Sequence, residues 1–80
     1  MTLGKKITHL RSAAGMSQEE LAEKLSVSRQ SVSKWEMDRA QPQIDKILLL
    51  CELFHVSTEE LLYDEISINR TPAGAPVKNK

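Results

Sequence analysis

The sequence predicts a compact all-α domain of five short helices followed by a flexible C-terminal tail, and three features support that expectation. Apolar residues recur at the three-to-four-residue spacing of amphipathic helices, and no alternating stretch is long enough to support a sheet. A serine flanked by apolar residues opens three segments: Met16-Ser17 ahead of Leu21, Val27-Ser28 ahead of Val32, and Val56-Ser57 ahead of Leu61. In each, the serine can cap a first helical turn while the residue before it packs on the apolar residue of the second turn. Each serine also stands two positions after a residue placed to enter the left-handed region (Gly15, Ser26, His55), so one helix stops where the next begins.

Helix one is expected from about Leu3 to Ala14, with Leu3, Ile7, Leu10 and Ala14 on one stripe and Gly15 as its stop. Helix two, Gln18 to Leu25, opens with a capping box of Ser17 and Glu20. Helix three runs from Arg29 to Met37 behind Ser28, with Val32 and Trp35 on its inner side. A polar connection then reaches Pro42, which a helix interior cannot hold. Helix four, Ile44 to Phe54, places Ile44, Ile47, Leu48, Leu50, Cys51 and Phe54 on one side and leaves Leu49 and Leu53 as an exposed pair on the other. Helix five, Thr58 to Tyr63, is opened by a second capping box of Ser57 and Glu60. Residues 1–65 thus make the domain. Residues 66–80, rich in proline and glycine with little to bury beyond Ile66 and Ile68, are expected to be mostly disordered.

Composition excludes several classes of function. Eighty residues make one domain near the lower size at which a single apolar core holds without staples. The lone Cys51 allows no intramolecular disulfide, and without a Cys/His cluster neither a structural metal nor a cofactor is expected. Cys51 lies on the apolar stripe of helix four and reads as a small buried hydrophobe; His9 and His55 lack partners for metal or catalytic work. No nucleophile-base pair, set of paired catalytic carboxylates or glycine-rich phosphate loop is present, so the chain is not expected to be an enzyme. The N-terminus lacks the continuous apolar stretch of an export signal, and the longest apolar run, Ile47 to Cys51, is too short to span a bilayer. A reducing cytoplasm fits this pattern. Net charge is zero, but residues 1–41 hold seven basic and five acidic side chains, a balance of +2, whereas residues 42–80 hold four and six, a balance of −2. Lys24, Arg29, Lys34 and Arg39 cluster in and beside helix three, and Glu59, Glu60, Asp64 and Glu65 gather at the far end.

The connected pattern is specific: Gly15, then Ser17-Gln18-x-x-Leu21-Ala22-x-x-Leu25-x-Val27-Ser28, Val32-x-x-Trp35-Glu36, Pro42, and Phe54-x-Val56-Ser57. On these residues the stretch 3–63 resembles the lambda-repressor-like helix-turn-helix family, the phage Cro and repressor proteins and their XRE-type bacterial relatives. Small Ala22 suits the close crossing of helices two and three. Ser26 and Asp38 stand where the family usually or often has Gly, each costing up to about 1 kcal/mol if the backbone keeps a positive φ.

The resemblance implies a sequence-specific double-stranded-DNA-binding transcriptional regulator, cytoplasmic and nucleoid-associated, whose third helix enters the major groove. Arg29, Gln30, Ser33 and Lys34 are then the base-contacting candidates: Arg29 matches guanine O6 and N7, Gln30 matches adenine N6 and N7, and Lys34 reaches a base or a phosphate. Gln18 resembles the family's phosphate-contacting glutamine at the start of helix two, and Ser17, Ser28, Ser31 and Arg39 are further phosphate candidates. Arg11 and Glu36 resemble a structural pair bridging helix one to the end of helix three. Leu49 and Leu53, with Leu62, Ile66 and Ile68, are candidates for a twofold dimer contact, unless the tail folds back over the leucines. A homodimer repressing from an inverted repeat is expected, acting by promoter occlusion because so short a chain leaves no room for a separate effector domain. The alternative is an antitoxin-like or regulatory subunit, with a second protein as its main partner and DNA binding secondary.

Overall fold

A computed structural model describes residues 1–63 as helices α1 (Leu3–Ala13), α2 (Gln18–Leu25), α3 (Arg29–Glu36), α4 (Ile44–Phe54) and α5 (Thr58–Leu62), with no strand among the described residues. The expected tail, including Ile66 and Ile68, lies outside the described residues. α1, α3 and α5 each stop one residue short of the expected end. Ala14 and Met37 already have ψ near zero (−1° and 6°), and Tyr63 turns away at φ −124°, ψ 80°.

The serine caps form as the sequence requires. Ser17 and Ser57 each accept from the backbone N–H three residues on, while Glu20 and Glu60 return a carboxylate to the serine N–H, closing two capping boxes. Ser28 accepts from Ser31 N–H at 3.1 Å. The joints close by left-handed residues: Gly15 at φ 72°, Ser26 at 57°, His55 at 57°, and a fourth, Asp38 at 58°. After α1, α2 and α3 the same closure recurs, Met16 N–H to Arg11 O, Val27 N–H to Ala22 O and Arg39 N–H to Lys34 O, which satisfies the helix-end carbonyls.

The core consists of Ile7, Leu21, Ala22, Leu25, Val32, Trp35, Ile47, Leu50 and Leu61, drawing on all five helices. α3 packs mainly on α1 and α2. α1 is fitted to the end of α3 at Gly4, where an added Cβ would lie 2.4 Å from Trp35 O and 2.8 Å from Glu36 O. Ala14, expected on the α1 stripe, is exposed beyond the helix end.

α4 departs from the expected facing. Ile47 and Leu50 are buried and Cys51, Leu53 and Phe54 pack against the core, whereas Ile44 is 65% exposed, Leu48 54% and Leu49 39%. The buried arc is therefore turned from Leu48 toward Leu50. Leu53, expected on the outer side with Leu49, belongs to the domain's own packing, as does Leu62. Six of the eight residues from Ile47 to Phe54 are aliphatic or aromatic, so periodicity left the rotation of this helix open and its neighbours decide it.

Candidate nucleic-acid interface

α2 and α3 pack on one another, with Ala22 of α2 only 3% exposed, and are joined by Ser26, Val27 and Ser28. Val32 is fully buried and Trp35 is 6% exposed, which fixes the rotation of α3 on the domain. A helix anchored on those two residues must turn Arg29, Gln30 and Lys34 outward, and all three are exposed, with Ser33 half-buried between them. The expected base-contacting residues thus share one outer face of a rigidly held helix.

The phosphate candidates are spread around that face. Ser17 and Ser28 are engaged as caps, and the Ser28 and Ser31 hydroxyls lie 3.1 Å apart. Arg39 is exposed just past the end of α3. Gln18 stands at the first position of α2, half-buried, with its amide bonded at both ends: Nε2 donates to Glu36 Oε1 at 2.9 Å, and Oε1 accepts from Arg29 Nη1 at 3.3 Å.

Beneath them lies a forked ion pair. Arg11 Nε donates to Glu36 Oε2 at 2.7 Å and Arg11 Nη2 to Oε1 at 3.1 Å, while Nη1 donates to the Met16 carbonyl at 2.7 Å. The side chains are 16% and 6% exposed, so the pair sits largely out of water and ties α1, the α1–α2 joint and the end of α3 together. Burial pushes the Glu36 carboxyl upward, but hydrogen bonds from Arg11, Gln18 and Thr8 and the Arg11 charge outweigh it and hold the group below its ordinary value. At Cys51 the balance goes the other way: burial, helped by the Glu60 charge, raises the thiol, so it stays protonated near neutrality.

Sequence reasoning saw Asp38 only as a replaced glycine and missed its contacts with α1. Its carboxylate accepts from the Thr2 hydroxyl at 2.7 Å and from Gly4 N–H at 3.0 Å, so the residue that closes α3 also satisfies the open start of α1. Thr2 is itself the α1 N-cap, accepting from Lys5 N–H, and its exposed hydroxyl could equally donate to water, so nothing in the sequence singled out this contact. Among the described residues no cluster of metal-ligating side chains occurs, and no helix is long and apolar enough to cross a membrane.

This arrangement defines a helix-turn-helix unit: two short helices in fixed register, the second presenting a polar face. The helix-turn-helix family model HTH_3 matches residues 7–61, and the chain belongs to that lambda-repressor-like family. It is 43% identical over 68 residues to the HTH-type transcriptional regulator ImmR of Bacillus subtilis, an alignment covering 84% of this chain and 54% of ImmR. It is 37% identical to the HTH-type transcriptional activator BcrR of Enterococcus faecalis, over 81% of this chain and 32% of BcrR. The chain therefore spans about half of one relative and a third of the other. The P22 c2 repressor, solved in complex with a synthetic operator, superposes with a TM-score of 0.75 at 25% identity, over 79% of this chain and 96% of that one.

Proposed function

We propose that this chain is a sequence-specific double-stranded-DNA-binding transcriptional regulator that represses by occupying an inverted-repeat operator as a homodimer, with α3 in the major groove. The observation behind this reading is the fixed outward presentation of Arg29, Gln30 and Lys34 by a helix whose other side is locked through Val32 and Trp35. Forked and amide side chains at the N-terminal end of such a helix suit purine edges. Ser17, Ser28, Ser31 and Arg39 flank them as phosphate contacts, alongside the N–H groups at the start of α2. The likeness to an operator-bound repressor over nearly all of that protein's chain supports both the docking mode and repression.

Two copies are proposed because one helix of eight residues reads too few base pairs to select a genomic site. Exposed Ile44, Leu48 and Leu49 on α4 offer an apolar surface for the contact, replacing the Leu53 and Leu62 expected from sequence. Selection of bound sequences from a random DNA pool tests the whole reading. The expected product is a palindrome with half-sites about one DNA turn apart, about 10 base pairs centre to centre. Arg29→Ala should flatten base preference at one position in each half-site. Failure to enrich any sequence, or enrichment unchanged by Arg29→Ala, overturns the assignment of this face.

A further inference from the structure

The joint after α3 is closed twice. Its backbone carries the helix-end bonds, Asp38 N–H to Trp35 O at 3.1 Å and Arg39 N–H to Lys34 O at 2.9 Å. The Asp38 side chain adds a second tie, because its carboxylate oxygens reach two different groups at the start of α1: Oδ2 accepts from the Thr2 hydroxyl at 2.7 Å and Oδ1 from Gly4 N–H at 3.0 Å. The two elements already meet closely there, since a Cβ added at Gly4 would lie within 3 Å of Trp35 O, Glu36 O and Asp38 Oδ1. The next residue is the exposed Arg39.

Two properties count against an aspartate at this place. Its backbone is left-handed at φ 58°, where glycine is at ease, and its negative charge stands beside a side chain read as gripping the negatively charged DNA backbone. The tie to α1 is what the carboxylate supplies and glycine does not. We infer that Asp38 is a positioning residue for Arg39: by fastening the joint to the start of α1 it holds the chain that carries the arginine, so the phosphate contact forms without first ordering the joint. This rests on the reading of Arg39 as a phosphate contact. The effect falls on affinity for every DNA sequence alike, because phosphates carry no base identity.

Two substitutions separate the tie from the charge. Asp38→Gly and Asp38→Asn both remove the negative charge, and both suit a left-handed backbone. Only asparagine keeps the tie. Its oxygen takes the Gly4 N–H, and its NH2 donates to the Thr2 hydroxyl, which has a second lone pair beside the one used by Lys5 N–H at 3.2 Å. Repulsion alone gives the two variants equal gains in DNA affinity, whereas the tie makes them differ.

The test measures affinity by fluorescence anisotropy at stepped salt, on the site selected from the random pool and on an unrelated duplex. It compares wild type, Arg39→Ala, Asp38→Asn, Asp38→Gly and each Asp38 variant combined with Arg39→Ala, with circular dichroism melting to confirm that each is folded. Arg39→Ala should weaken binding to both duplexes and make the salt dependence shallower by about one phosphate contact. Asp38→Asn should bind at least as tightly as wild type, and Asp38→Gly about three- to tenfold more weakly than Asp38→Asn on both duplexes, the scale of ordering part of one joint. That difference should vanish once Arg39 is alanine. Equal affinities for Asp38→Asn and Asp38→Gly, or a difference that persists without Arg39, overturn the inference and leave the phosphate contact standing. If Arg39→Ala binds like wild type with unchanged salt dependence, the phosphate contact is wrong and the inference falls with it. Should Asp38→Gly melt below the assay temperature, Thr2→Val takes its place: it deletes one donor to Asp38 and keeps the charge, and it must weaken both duplexes while Arg39 is present and neither once Arg39 is alanine.

Discussion

At Glu36 a carboxylate with 6% of its side chain exposed receives two bonds from Arg11 and one from Gln18. Because its folded-state affinity for a proton is held below the ordinary value of 4.5, it stabilises the fold at pH above that value, and the contribution is lost as pH falls through the lowered folded value. Urea unfolding at stepped pH should therefore show wild type more stable than Glu36→Gln near neutrality, with the gap closing on the acid side of 4.5. A gap of constant size down to strong acid would show that the charge contributes nothing. Ser26 and Asp38 make a second contrast, since both are left-handed, at φ 57° and 58°. Ser26→Gly removes backbone strain alone and should raise stability by about 1 kcal/mol. Asp38→Gly relieves similar strain but also deletes the acceptor of Thr2 and Gly4, and should lower stability. Urea midpoints that rise for both variants would mean the carboxylate contributes less than the strain costs.

Among the elements, α1 and α3 are joined by a close backbone approach at Gly4 in addition to the Arg11–Glu36 pair and the shared core. Gly4→Ala would put a methyl against the Trp35 and Glu36 carbonyls and the Asp38 carboxylate at under 3 Å. The better helix propensity of alanine is outweighed, and a loss of about 1 to 3 kcal/mol is expected, seen as a lower melting temperature. Starts and stops of the helices were legible in the sequence because caps and left-handed joints are local: Ser17, Ser28 and Ser57 each answer to a backbone N–H three residues away. The outward Arg29 and Gln30 were legible for the same reason, once Val32 and Trp35 fixed the inner side of α3. What escaped was non-local. Asp38 meets Thr2 across 36 residues of chain, and Gln18 meets Glu36 across 18. The rotation of α4 escaped as well, because a helix apolar around most of its circumference carries no phase of its own.

For the whole molecule, the apolar side chains left outward on α4 matter most. Ile44 and Leu48 lie one turn apart and are each more than half exposed. Under the proposed dimer, wild type should sediment as two copies, and Leu48→Asp as one, with operator affinity falling accordingly while the fold persists. Wild type that sediments as a single copy at every concentration tested, with Leu48→Asp indistinguishable from it, removes this surface from the dimer. Phosphate contacts predict a second property of the assembly, an affinity that falls steeply as salt rises.

The left-handed joints carry one more implication. Glycine would relax them, yet of these three only Gly15 uses it, while Ser26 and His55 are exposed side chains that are not among the residues proposed to read bases. Substitutions at these hinges should therefore change how long a folded copy survives in the cell more than which base pairs it prefers. The amount of regulator and the choice of target can therefore drift, or be engineered, independently.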